Sequence, residues 1–242
     1  RQLAPDDYAT IFNYAGVLAR GIDGRGLSIA VVGGSNIDLA DLQAFRSRFN
    51  LNFADPEFLL YPGSAEPGQT RDGFQTEANL DLQWVSAVAR GARVRYVYGT
   101  SVLNALLYAI DQNLAPILSV SFVNSCEARF SQNALDAYRS LALQAVAQGM
   151  TWVNGSGDNG PSACDYQVGT VAEGGFSLAP FTSLPEVTVV GGTELNDRNG
   201  NYWAPTNAAN GASALGYIPE IVWTQSRRGF SMWASGGGVS IY

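Results

Sequence analysis

Histidine and lysine are both absent from this chain of 242 residues, and cysteine occurs only twice. Without histidine, neither a Ser-His-Asp triad nor a Cys-His pair can form within the chain. Two cysteines are too few for a structural zinc site, and no common catalytic zinc set can be built without imidazole. No apolar run approaches the roughly 18 residues needed to span a bilayer, so no membrane partner is expected. A basic leader followed by an apolar stretch is also missing, and Arg1 reads as the first residue after a processing boundary.

Charge is scarce as well. Charged residues make up 14% of the chain, against about 25% in ordinary soluble domains. All 14 positive charges are arginines, and the net charge is -7 at pH 7. Acidification neutralises carboxylates, and a lysine-rich chain would then carry a large self-repelling positive charge. Here the positive total is capped near the number of arginines. A compositional bias toward arginine gives the same count, but an acidic working environment fits the pattern better. Nucleic acid is disfavoured as a partner.

Short apolar, β-branched runs occur at 27–33 (LSIAVVG), 93–99 (RVRYVYG), 116–122 (PILSVSF), 151–155 (TWVNG) and 186–192 (EVTVVGG), all but 116–122 closed by glycine, and each reads as a buried strand. Helical patterns lie between them at 37–49, with Asp38 or Asn36 as cap, and at 76–90, 101–113 and 131–148, the last stopped by Gly149. This alternation predicts an α/β fold with a parallel central sheet flanked by helices on both faces. Stretches 155–181 and 196–214 read as loop, and no linker divides the chain. Cys126 and Cys164 are compatible with one disulfide or with two buried thiols.

With histidine absent, proton transfer in a hydrolase would fall to carboxylates, which work best at low pH. On helix 76–90, Ala78, Leu82, Val85 and Ala89 form an apolar stripe, and Asn79, Gln83, Ser86 and Arg90 form the stripe expected to face solvent. Glu77 and Asp81 belong to neither. They lie one turn apart on a third stripe with Trp84 and Val88, which predicts partial enclosure. Two such carboxyls resist ionising together and can share a proton. Acids near a helix N-terminus also serve the helix dipole. Asp158 in 155–160 (GSGDNG) follows a strand, where open parallel sheets gather ligand sites. A protonated Asp there could donate to a developing oxyanion, and an ordinary Asp-Asn-Gly turn has the same sequence.

Together these residues resemble the sedolisin (serine-carboxyl) peptidases, in their kumamolisin-like form. TEANLDLQW resembles the Glu-x-x-x-Asp helix of that family, and GSGDNG resembles the turn with its oxyanion-hole aspartate. IAVVG with SNIDLADLQAFRSRF, VRYVYG, ILSVSF, VTVVGGTE and ASGGGVSIY agree in order over essentially the whole chain. The resemblance implies a subtilisin-like α/β fold and peptide-bond hydrolysis at acidic pH. It implies Glu77 as general base, Asp81 as its proton-sharing partner, Asp158 as oxyanion stabiliser, and Ser121 with Phe122 as the segment that pairs with substrate. It also favours a Cys126–Cys164 disulfide and a secreted enzyme whose propeptide has been removed.

The family's serine lies in a Gly-Thr-Ser segment after the SGGG region, and its calcium site is built near the end of the domain. No serine here stands in that context, Ser240 being placed on an apparent strand approaching it. Residues 1–242 are therefore expected to be the N-terminal and central part of a single peptidase domain, inert alone. A C-terminal fragment of the same enzyme is a candidate partner for it, and the calcium ligands are expected outside the chain. The substrate would be polypeptide. Two stretches depart from the family: 122–125 (FVNS) lacks the glycine expected beside the substrate strand, and 178–184 (LAPFTSL) replaces the usual Phe-Pro-Ala-Ser. A catalytically inactive relative that binds peptides is the alternative. A glycosidase is disfavoured, because such enzymes place their two acids across a cleft from different elements.

Overall fold

The computed structural model describes residues 2–122, 125–165, 171–225 and 233–242. Val123 and Asn124 of the FVNS stretch lie outside them. Two compact units are formed, the first from Arg1–Pro116 with Asn196–Pro219 and the second from Ile117–Leu195 with Glu220–Tyr242.

In the first unit, β1 (Ser28–Gly33) and β3 (Arg93–Tyr98) pair in parallel with Ser28 opposite Arg93. β2 (Glu57–Leu60) lies parallel on the other side of β3. Ile29, Ala30, Val31 and Val32 are all buried. Burial at consecutive positions means that both faces of β1 are covered, as in parallel sheets wrapped by helices. The helices α4 (Gly73–Val88) and α5 (Val102–Asp111) both pack on β1 and β3. α3 (Leu39–Arg48) packs on α4, and its cap is Asp38, whose side chain accepts the N–H of Ala40. Tyr96 is fully buried on β3, and its hydroxyl donates to the carbonyl of Ser35 at 2.6 Å. A Cβ at Gly33 would collide with that phenol, so glycine there is a packing requirement.

The chain's beginning is tied to a segment late in the sequence. α1 (Pro5–Ile11) carries Asp7, which is 1% exposed. Its Oδ1 accepts the N–H groups of Ser213 and Ala214, each at 2.6 Å, and its Oδ2 accepts that of Ala4 at 2.9 Å. A buried carboxylate is tolerated where its oxygens are satisfied in this way. Asp6 accepts from Asn210 at 2.6 Å and pairs with Arg90. After α1 comes the short α2 (Ala15–Ala19).

In the second unit, β4 (Ile117–Val120), β5 (Thr151–Gly155) and β6 (Thr188–Val190) are parallel, with Val120 opposite Asn154 and Asn154 opposite Val189. α6 (Gln132–Ala147) is capped by the Ser131 hydroxyl and followed by Gly149 at φ 77°, and it packs on β5. A two-stranded antiparallel ribbon joins β7 (Thr193–Leu195) to β8 (Glu220–Val222). Cys126 and Cys164 form a disulfide. Trp152 is buried against Phe181, which also meets Tyr138. Residues 235–242 adopt no strand, which corrects the expectation for Ser240. The reason is visible in the sequence, since three consecutive glycines at 236–238 disfavour a regular strand.

Helix α4 begins earlier than its apolar pattern suggests. Asp72 is the N-cap, accepting from the N–H groups of Phe74 and Gln75, and the Thr70 hydroxyl donates to the same carboxylate. The hydrogen bond from Thr70 is the largest cause holding the Asp72 carboxyl below its ordinary range. Asp72→Ala is expected to lower Tm by about 2–4 °C near neutral pH, a typical cap loss for a chain of this size. A lowered folded pKa contributes stability above the unfolded value and loses it as pH falls through the folded value. The Tm difference should therefore shrink in acid, and thermal unfolding at two pH values checks it.

Candidate active site

Because α4 starts at Gly73, neither Glu77 nor Asp81 lies in its first turn. The helix dipole acts within that first turn, so it does not account for the pair. Both side chains are half-buried, as their stripe predicts. Trp84 on the same stripe sits between Tyr8, at a centroid distance of 4.5 Å, and Phe45, at 6.2 Å. Asp81 lies close enough to Tyr96 for its negative charge to act on that phenol. Burial first, and then the Asp81 carboxylate, push Tyr96 well above the ordinary tyrosine range.

The stripe expected to face solvent does not do so. Ser86 is 1% exposed, whereas Leu80 and Val88 are open to water. A serine is small enough to pack beside Ala87 where helix and sheet approach closely, and volume rather than polarity decides this position. Its Oγ has no hydrogen-bond partner among the described residues.

The remaining candidates lie in the second unit. Ser121 and Phe122 follow β4 directly and are half-buried. Asp158 follows the neighbouring β5, so these groups share the carboxyl ends of adjacent parallel strands. A shallow pocket there is lined by Asp158, Asn159 and small residues that include Ser125, Ser156, Ala163 and Ala179. Asp158 is exposed overall, and the pocket wall covers part of its side chain. This burial raises its carboxyl above the ordinary aspartate value. The acid therefore keeps its proton to a higher pH than a free aspartate.

The turn 156–160 is fixed by its own backbone neighbours. The Ala234 N–H donates to the carbonyl of Asp158 at 2.7 Å, and the Gly236 N–H donates to that of Gly157 at 2.8 Å. A side chain at Gly236 would strike the carbonyl of Ser156, so this approach needs glycine. The disulfide acts on the same region, and Arg129 donates to the carbonyl of Cys164 at 2.7 Å.

Among the described residues three buried acids escape a reading of the sequence: Asp7 and Glu127 bind backbone groups far away in the chain, and Asp165 accepts the N–H groups of Glu173 and Gly174. No local pattern marks them. Among the described residues no group of three or more acids, cysteines or histidines could hold a metal ion. No helix among the described residues is long and apolar enough to cross a membrane.

No family model matches the chain. It is 29% identical over 231 residues to sedolisin of Pseudomonas sp. (strain 101), covering 89% of this chain and 36% of that protein. It is 26% identical over 266 residues to xanthomonalisin of Xanthomonas sp. (strain T-22), covering 98% and 31% respectively. The chain thus spans about a third of the length of the curated relatives it matches. Among solved structures, Pseudomonas sedolisin, a serine-carboxyl proteinase complexed with two molecules of pseudo-iodotyrostatin, superposes with a TM-score of 0.71 at 26% identity, covering 100% of this chain and 64% of that one. A lanthipeptide protease at 13% identity and a TM-score of 0.51 shares the fold. The fold is therefore the α/β class expected from the alternating strands and helices, in the subtilisin-like form that the resemblance implies. By sequence and by fold, the chain is similar to the sedolisin peptidases.

Proposed function

We propose that this chain carries the acid–base and oxyanion groups of a serine-carboxyl peptidase that hydrolyses polypeptides in an acidic, extracellular setting. The observation that carries this reading is Asp158, a carboxyl raised by burial at the edge of a pocket at the carboxyl end of β5. Its similarity to sedolisin and xanthomonalisin supports the same chemistry.

The nucleophile in this reading is a serine in a Gly-Thr-Ser segment that follows the SGGG region, beyond Tyr242. Glu77 takes the serine hydroxyl proton as the oxygen attacks the substrate carbonyl, and Asp81 shares a proton with Glu77 and orients it. Protonated Asp158 donates a hydrogen bond to the oxyanion that forms. Glu77 then returns the proton to the leaving amine, giving an acyl-enzyme that water hydrolyses with Glu77 again acting as base. Ser121 and Phe122 supply backbone groups that pair with the extended substrate. The propeptide is removed before action, and calcium is held by residues outside this chain.

Hydrolysis of denatured protein by the longer enzyme tests the reading, at about pH 3–4 where a carboxylate base and a protonated acid can coexist. Asp158 gives the sharper form of the test. Asp158→Ala should lower kcat by about 10²–10³, the usual cost of one oxyanion donor. Asp158→Asn retains an N–H donor at every pH, so it should keep most activity and carry it further toward neutrality. If Asp158→Asn is as inactive as Asp158→Ala at every pH, the donor role is wrong.

A further inference from the structure

Glu127 is 1% exposed, and its carboxylate joins three separate segments of the second unit. Oε1 accepts the N–H of Leu178 at 3.1 Å and that of Ile241 at 3.0 Å, while Oε2 accepts the Ser240 hydroxyl at 2.6 Å. The N–H of Glu127 donates to the carbonyl of Leu178 at 2.7 Å. Its own position is fixed by the preceding Cys126, bonded to Cys164. A buried carboxylate needs such partners, and two of the three here are backbone N–H groups.

What these hydrogen bonds hold would otherwise be loose. Residues 236–238 are three glycines with little conformational preference of their own. The side chains that follow offer little burial, since Val239 is 87% exposed and Ile241 64%. The path of the chain at Ser240 and Ile241 is therefore set by polar contacts, and Glu127 supplies two of them. Ser240 Oγ in turn accepts the N–H of Tyr242 at 3.0 Å. The upstream end of this segment lies on the Asp158 turn through Ala234 and Gly236. The Leu178 segment reaches the same turn, since the Ser177 N–H donates to the carbonyl of Pro161 at 2.9 Å.

We infer that Glu127 is a positioning residue, which sets the course of residues 240–242 relative to the Asp158 turn and so aims whatever follows them. This rests on the reading above, in which the nucleophilic serine follows Tyr242. Glu127 touches no reacting atom. Its effect is on the distance and angle at which the serine approaches a carbonyl whose oxygen points at Asp158.

The test uses the full-length enzyme with Glu127→Ala, Glu127→Gln and Ser240→Ala. Glu127→Ala should lower kcat by roughly tenfold to a hundredfold with KM changed less than about twofold, because misplacement of reacting groups by about 1 Å has that effect. The Ile241 amide should exchange its hydrogen faster in the same variant. Glu127→Gln should restore both, since its carboxamide oxygen can accept the two N–H groups and its NH₂ can donate to Ser240. Ser240→Ala should give a smaller loss of the same kind, and it carries the test if Glu127→Ala does not fold.

An unchanged kcat in a folded Glu127→Ala, or in Ser240→Ala when the first does not fold, overturns the inference. So does a Glu127→Gln as impaired as Glu127→Ala. If the unmodified enzyme hydrolyses no peptide, the peptidase reading falls by itself. The Ile241 exchange rate then decides whether Glu127 is the anchor, with no acceleration in the variant counting against it.

Discussion

Glu77→Gln in the longer enzyme is expected to lower kcat by about 10²–10⁴, the range assigned to a general acid–base group. The substitution keeps the size and the hydrogen-bonding ability of the side chain but removes its capacity to take a proton. Glu77 is half-buried and lies beyond the first turn of α4, so neither core packing nor the helix dipole depends on its charge. Tm should accordingly move by less than about 2 °C, within the range of surface substitutions. Asp81→Asn should cost less, because Asp81 acts through Glu77. The two losses should fail to add in the double variant, since residues that work as a unit are not independent. Steady-state hydrolysis of a peptide in acid measures all three. Retention of kcat in Glu77→Gln would place the base elsewhere and remove the centre of the proposed mechanism.

Removing the disulfide should have the largest effect on stability. Cys126 and Cys164 are 38 residues apart, and in the chain-entropy model a cross-link over such a loop contributes roughly 3–4 kcal/mol. For a chain of this length that corresponds to a Tm lower by ~6–16 °C in Cys126→Ser with Cys164→Ser. Cys126 is fully buried, so reduction of the native protein should be slow and should follow opening of the segment around residues 126–129. Scanning calorimetry of oxidised and serine forms compares the two. A loss below about 1 kcal/mol would mean that the hydrogen bonds of Glu127 and Arg129 already restrain the loop without the sulfur bridge.

Periodicity carried the sequence reading as far as it could. Strands β1, β3, β4, β5 and β6 and helices α3, α5 and α6 fall within stretches read from apolar spacing and capping residues, and α4 overlaps one but starts three residues before it. The misses share a cause, which is that their signals are too short or are made elsewhere. β2, β7 and β8 have three or four residues each, too few to display a period, and α1 is announced only by Pro5 and two acids. Asp72, not an apolar position, decides where α4 starts. The site divided along the same line. Glu77, Asp81 and Asp158 were visible because their local context, a helix stripe and a post-strand turn, is informative. Glu127 was not, because its partner Ile241 is 114 residues away. The exposed-stripe reading failed at Ser86 because hydropathy ranks a hydroxyl as polar while packing treats it as small.

The hydrogen bonds of Asp7 bear on how this protein comes into being. The carboxylate meets the N–H groups of Ser213 and Ala214, partners 206 and 207 residues further on. At about 5–20 residues per second, a ribosome takes roughly 10–40 s to make that interval. Through that time α1 exists with an acid whose burial has no compensation, so this end of the first unit cannot close on the nascent chain. The strands and helices between Ser28 and Asp111 can assemble early, but the unit's seal arrives only when Asn196–Pro219 emerges. Such long-range closure slows folding and leaves apolar surface waiting.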